Sequence, residues 1–228
     1  MTRTANARIA GFTYLLYIAL GIPAFVLLDR ATHAPEIAAK FAGIAQHAAD
    51  VRIAIVLTTL TCFAALVLGV TLHAITREQD QDLAMLALTC RVAEGVLNAA
   101  VGLVAMLGVL WLGTTAQSGA PDAAGYAVGA FLFRVLGWNP IISATFFAVG
   151  STLFSWLLLR GRIVPVPMAW LGVVASILLV VVLPLQLAGI LGGPIMQFMW
   201  LPMLAFEVSL ALWLLIKGAR IPGGKQSA

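Results

Sequence analysis

The sequence predicts an all-α integral membrane bundle of six transmembrane helices with one or two interfacial helices on the outer side. Three observations carry that expectation. Of 228 residues, 62% are hydrophobic and only 10% charged, whereas soluble domains hold about 25% charged residues. The apolar residues fall into runs of roughly 20, the length a helix needs to cross the hydrocarbon of a bilayer. The charges collect between those runs. The runs consume nearly the whole chain, so 1–228 reads as a single transmembrane domain whose first partner is the lipid bilayer.

Taken in order, the first run is 9–28, preceded by Arg3 and Arg8. It is longer than the roughly 7–15-residue core of a secretory signal, so it is expected to stay as a span, kinked by Pro23. Residues 29–52 are polar enough to leave the membrane. Within them Ile37, Phe41, Ile44 and Ala48 recur at helical spacing opposite Glu36, Lys40 and His47. That pattern fits a helix lying in the interface, or an extension of the next span. The second span is 53–75, closed by the charged turn 76–82. The third is 83–113, followed by a loop over 114–124 without Lys or Arg.

Residues 125–137 are ambiguous. Tyr126, Phe131 and Phe133 are apolar, Arg134 is charged, and Trp138-Asn139-Pro140 reads as a breaker. An interfacial helix followed by a fourth span from about 139 to 159 is expected; if 125–137 crosses with that segment, the helix is merely longer and the topology is unchanged. Arg160-Gly161-Arg162 closes that span. Pro165 and Pro167 open a fifth, reaching about residue 188 and interrupted by Pro184. A turn at 189–194 leads to the sixth span, 196–216, ended by Lys217, Arg220 and Lys225. If both termini are cytoplasmic, eight basic residues (Arg3, Arg8, Arg77, Arg160, Arg162, Lys217, Arg220 and Lys225) face inward. Only Arg30, Lys40, Arg52 and Arg134 then face outward, the asymmetry that sets orientation.

Several chemistries are excluded. The net charge of +4 invites a nucleic-acid reading, but the basic residues are spread along helix ends with no aromatic-interleaved patch; no nucleic-acid partner is expected. Cys62 and Cys90 fall inside spans and read as buried free thiols. There is no HExxH, paired CxxC, Walker loop or GxGxxG, and His33, His47 and His73 lie at or outside membrane edges. No metal and no cofactor are expected. Ser143, Ser151, Ser155, Ser176 and Ser209 have no midplane histidine to activate them, so each hydroxyl is expected to bond its own helix. Trp111, Trp138 and Trp200 near the outer interface, with Trp170 and Trp213 near the inner, read first as an anchoring belt.

The polar centre is in the third span. Arg91 and Glu94 are opposite charges at i and i+3, neighbours on one helix face, and Asn98 continues the stripe at i+4 from Glu94. A charge at the bilayer centre costs about 2.5–3.5 kcal/mol on insertion scales, so the pair needs a reason. At 1.5 Å per residue, Glu94 lies roughly 16 Å and Glu207 roughly 15 Å from the cytoplasmic edge. Two carboxylates on different helices therefore share the middle of a ~30 Å core. Tyr14 and Tyr17 of the first helix come at similar or slightly shallower depth. The plainest reading is structural: Arg91 pins helices together. One guanidinium cannot fully neutralise two carboxylates, however, and Glu207, lacking a partner in its own turn, is expected to hold a proton.

The segments Ala7-Arg8-Ile9-Ala10-Gly11-Phe12-Thr13-Tyr14-Leu15, Arg91-Val92-Ala93-Glu94, Leu153-Phe154-Ser155-Trp156-Leu157-Leu158 and Glu207 followed by Leu212-Trp213-Leu214-Leu215-Ile216-Lys217-Gly218 resemble family 4386 of the domains of unknown function. Its members are bacterial six-helix membrane proteins. The resemblance spans nearly the whole chain, and R-x-x-E and W-L-L-x-K-G are its most specific elements. It implies six helices and a bacterial cytoplasmic (inner) membrane; it transfers no activity and no site residue.

Three functions are compatible with this reading. The first is an enzyme acting on a lipophilic, isoprenoid-like small molecule by proton-initiated chemistry. Glu207 would be the donor, and Arg91 and Asn98 would hold Glu94 ionised as counter-charge, in a layout similar to membrane-bound terpene cyclases. The second is a proton-coupled transporter, with three-helix halves inverted relative to each other and Glu94 and Glu207 on the third helix of each. The third is a non-catalytic membrane subunit. Substrate and oligomeric state are not legible.

Overall fold

The computed structural model describes residues 2–115, 123–193 and 195–219, and among these every regular element is a helix. Helix α1 is Arg3–Thr32, α2 Ile37–Gln46, α3 Ala48–Thr76 and α4 Gln81–Leu97. A π-helical turn, Asn98–Leu103, joins α4 to α5, Val104–Thr115. Then come α6 (Ala123–Arg160), α7 (Val166–Leu187), α8 (Ile195–Phe198) and α9 (Leu201–Ile216). Five stretches are long and apolar enough to cross a bilayer: Arg3–Thr32, Ala48–Thr76, Gln81–Thr115, Ala123–Arg160 and Val166–Leu187.

The distribution of side chains is that of a membrane protein. Phe12, Phe25, Phe63, Val70, Trp111 and Val174 point outward, while Arg91, Glu94 and Glu207 are buried. In water such exposed apolar faces would drive association; in lipid they are the solvated surface, and ionisable groups turn inward.

Two expectations are corrected. Trp138-Asn139-Pro140 does not break the chain: 125–137 and the fourth span form one 38-residue helix, α6, with Pro140 inside it. A helix-interior proline costs about 3 kcal/mol. Breaking the helix in hydrocarbon would instead leave several backbone groups unpaired, each costing several kcal/mol, so continuity wins. At the other end, the expected sixth span 196–216 is not continuous. It divides into the four-residue α8 and the 16-residue α9, the latter about 24 Å long against a ~30 Å core. Pro202 lies in the first turn of α9, where its missing N–H costs nothing, and so marks a new start.

Of the loop expected over 114–124, residues 116–122 lie outside the described residues, as do Pro194, Arg220 and Lys225. In the turn after α7, Gly189 and Gly193 adopt φ of 73° and 92°, a region that glycine enters without steric cost.

The chain forms two compact units. The first comprises the described parts of Met1–Leu16, Ala64–Glu94 and Ile141–Ala228. Its core gathers Leu68, Leu72, Phe154, Leu179, Met203 and Leu210, with α7 packed on α9. At one end Arg3 pairs with Glu78 at 2.9 Å and Arg160 with Asp80 at 3.2 Å. A Cβ on Gly218 would lie 3.8 Å from Thr4, so the start of α1 and the residues after α9 share that end. Because Glu78 is largely exposed, its ion pair is weak: Glu78→Gln is expected to change stability by less than about 1 kcal/mol, read by thermal melting in detergent.

The second unit comprises Tyr17–Phe63 and the described parts of Gly95–Pro140. Ala31, Ile44, Val51 and Val109 form its core. Helix α2, anticipated from its spacing, forms as a separate element and packs on α5. Phe41 meets the rings of Tyr126 and Phe133 at 5.9 and 5.7 Å, and Lys40 lies 5.2 Å from the Phe133 centroid. The apolar face of α2 is thus covered by protein.

Candidate functional site

The ionic centre lies in the first unit. Arg91 Nη1 and Glu94 Oε2 are 2.8 Å apart across one turn of α4, and the residues are 1% and 2% exposed. Two glycines make room for that turn. A Cβ on Gly69 of α3 would stand 3.1 Å from Arg91 Cβ, and one on Gly150 of α6 would stand 3.1 Å from the Ala87 carbonyl oxygen. Neighbouring helices can therefore approach closely around a large cationic side chain. The guanidinium lies 4.9 Å from the Phe147 ring centroid, within the ~6 Å at which an aromatic face attracts a cation.

Glu207, on α9, is 6% exposed, and Tyr14, on α1, 3%. Arg91 and Glu94 both act electrostatically on Glu207, and all three act on the Tyr14 hydroxyl. The four residues are therefore gathered into one centre. Glu207 Oε1 is buried and accepts no hydrogen bond from any described residue. Phe206, beside it in sequence, is fully buried. It reaches the place where a Cβ on Gly172 of α7 would be, which also lies 2.6 Å from Ser155 Oγ.

Asn98 and Tyr17 belong to the second unit. Asn98 opens the π-helical turn and accepts a hydrogen bond from Asn139 Nδ2 at 3.2 Å. The serines divide. Ser176 bonds its own helix at the Gly172 carbonyl, 2.6 Å away, as expected of all five. Ser155 does not: its hydroxyl is buried with no hydrogen-bond partner among the described residues. Cys62 and Cys90 are buried free thiols. Sequence reasoning missed Phe147, Gly69, Gly150 and Asn139. The first three carried no signal, since an apolar or small residue in a span is ordinary. Asn139 would have stood out as a mid-span amide had α6 been read as continuous.

Residues 9–218 match the family described as a domain of unknown function, DUF4386. The chain belongs to the DUF4386 family. No curated protein and no solved structure matches it. The apolar helices suggest a multi-pass membrane protein, and the family's description assigns no chemistry. What this DUF4386 protein assembles is one fixed cation, two carboxylates and a phenol in a water-poor interior. Such a set can store a proton, exchange it, or lock helices; haem- or metal-type chemistry finds no histidine among these four residues.

Proposed function

We propose that this DUF4386 protein works on a lipophilic, isoprenoid-like small molecule, with Glu207 as an intramembrane acid and Arg91–Glu94 as its fixed counter-charge. The observation that carries the reading is the Glu207 carboxyl: buried, with no hydrogen-bond donor to its Oε1 among the described residues, beside an ion pair already complete at 2.8 Å. With both acids ionised the centre would hold one uncompensated negative charge, which costs several kcal/mol in a dry interior. Keeping a proton on Glu207 removes it. A neutral carboxylic acid in an apolar site is a proton donor. Transfer to an alkene breaks the acid O–H and forms a C–H, leaving a carbocation. Loss of a proton from an adjacent carbon back to the carboxylate closes the cycle without any other reagent. Phe147, Phe206 and Tyr14 supply aromatic faces suited to a cation. The layout is similar to membrane-bound terpene cyclases in size and in its buried acids.

The bilayer arrangement that accompanies this reading has six spans, α9 being the sixth. It is supported by Thr4 and Gly218 sharing one end, which an even number of crossings requires. Arg3, Arg77, Arg160, Arg162 and Lys217 on the connecting ends favour a cytoplasmic placement by the positive-inside rule.

The test follows the proton. Membranes containing the protein are incubated with mixed isoprenoid lipids in D2O, and products are analysed by mass spectrometry. A new isomer carrying one carbon-bound deuteron is expected with the wild-type chain and is lost in Glu207→Gln. No deuterated product, or one that persists in Glu207→Gln, overturns the acid assignment. Proton uptake into vesicles driven by a solute, in place of turnover, would point to the transporter.

A further inference from the structure

The second unit holds a polar constellation that the acid chemistry does not use. Asn98 stands at the midpoint of the Gln81–Thr115 helix, 17 residues from each end. Asn139 sits in the middle part of α6, 5% exposed. Their amides, bonded at 3.2 Å, line a half-open cleft of about 230 Å³ together with Thr58 and Thr61 of α3. The remaining walls, among them Phe25, Met106 and Leu136, are apolar, and among the described residues no lining residue is charged.

Two further features distinguish this place from ordinary helix glue. The π-helical turn begins at Asn98 and contains Gly102, another lining residue; such turns inside α-helices concentrate at functional sites. Gly102 also spares the amide pair, since a Cβ there would lie 2.8 Å from Asn139 Nδ2. Binding sites for small molecules are concave and mostly apolar, with a few placed polar groups. The volume falls below the ~300–1,000 Å³ usual for a drug-sized ligand, which suits a compact head whose tail leaves through the mouth. Phe25 is strongly exposed, so the cleft adjoins an outward apolar surface.

We propose that the Asn98–Asn139 cleft binds the uncharged carbonyl- or hydroxyl-bearing head of a lipophilic molecule. The amides offer donors and acceptors without charge, and the absence of Lys, Arg, Asp and Glu from the lining disfavours an ionised head. This holds whatever Glu207 does.

The probe is a short-chain ubiquinone, compared with limonene, which has a similar apolar body and no oxygen. Full-length protein in detergent is melted at increasing concentrations of each. Ubiquinone is expected to raise the melting temperature in a saturable way and limonene to have little effect. Asn98→Leu and Asn139→Leu are each expected to weaken ubiquinone binding about tenfold, the loss of one hydrogen bond in a low-dielectric site. Equal stabilisation by limonene, or full affinity in both variants, overturns the proposal. A photoreactive ubiquinone on the wild-type chain makes the test independent of how the variants fold. Labelling within 98–106 or 136–140 supports the site, and labelling confined to other peptides overturns it. Added diacylglycerol, whose head is uncharged, separates two sources of the same chemistry: competition assigns the cleft to lipid ester carbonyls, and indifference to a quinone-like metabolite.

Discussion

Replacing Arg91 with leucine is expected to destabilise the protein by about 3–5 kcal/mol, the cost of leaving one partner of a buried ion pair uncompensated. Arg91 is 1% exposed, and its guanidinium contacts Glu94 at 2.8 Å and faces Phe147 at 4.9 Å. Without it, Glu94 must take up a proton or remain charged in a dry interior, and Glu207 loses the same cation. Arg91→Leu combined with Glu94→Leu should recover most of the loss, because a buried pair replaced by hydrophobic residues is often neutral or better. Arg91→Lys keeps the charge but gives up the planar contact with Phe147, so an intermediate cost of about 1–2 kcal/mol is expected. Unfolding in mixed detergent–SDS micelles, followed by circular dichroism, measures all three. An Arg91→Leu variant within 1 kcal/mol of wild type would show that the pair does not hold the first unit together.

Gly11→Val is the second large effect. A Cβ at residue 11 would fall 2.5 Å from the Ala211 carbonyl oxygen and 2.7 Å from the Leu215 nitrogen. Both are backbone atoms of α9, which no side-chain rotation can move aside. Helices α1 and α9 would have to separate, losing the close approach that small residues permit in membrane bundles. Overpacking of this kind costs about 1–3 kcal/mol, occasionally more, and valine is expected at the upper end. Gly137→Ala is the contrasting case. Among the described residues nothing lies within 4 Å of its Cβ position, and alanine in a helix interior gains roughly 0.5–1 kcal/mol over glycine. The same unfolding titration should therefore move the two variants in opposite directions. Equal responses would mean that the Gly11 contact does not limit the approach of α1 and α9.

Arg91-Val92-Ala93-Glu94 illustrates how much of the site was visible beforehand. A charge pair at i and i+3 inside thirty apolar residues must face protein, and rise per residue placed Glu207 at a matching depth before any packing was known. The tyrosines show the opposite. Tyr14 and Tyr17 differ by less than one helical turn and looked equivalent, yet Tyr14 joins the ionic centre and Tyr17 falls in the other unit. Three residues rotate a side chain by about 300° around the axis, and only the neighbouring helices decide which direction is interior. Pro140 stays inside its helix for a related reason. Its local signature is a breaker in water, but the penalty for unpaired backbone in lipid is larger than the penalty for one lost hydrogen bond.

The amino-acid sequence by itself determined that this protein lives in a bilayer, that its apolar stretches are helical, and that Arg91 and Glu94 share a face, because composition and the 3.6-residue period are local properties of the chain. Tertiary structure alone decided that Phe147 covers the guanidinium, that Gly69 and Gly150 admit it, and that Asn98 pairs in a cleft with Asn139, 41 residues away along the chain. Those contacts join segments far apart in sequence, and no periodicity encodes which apolar faces will meet. Close packing settles the choice, since a single methyl group at Gly11 would already press on the α9 backbone.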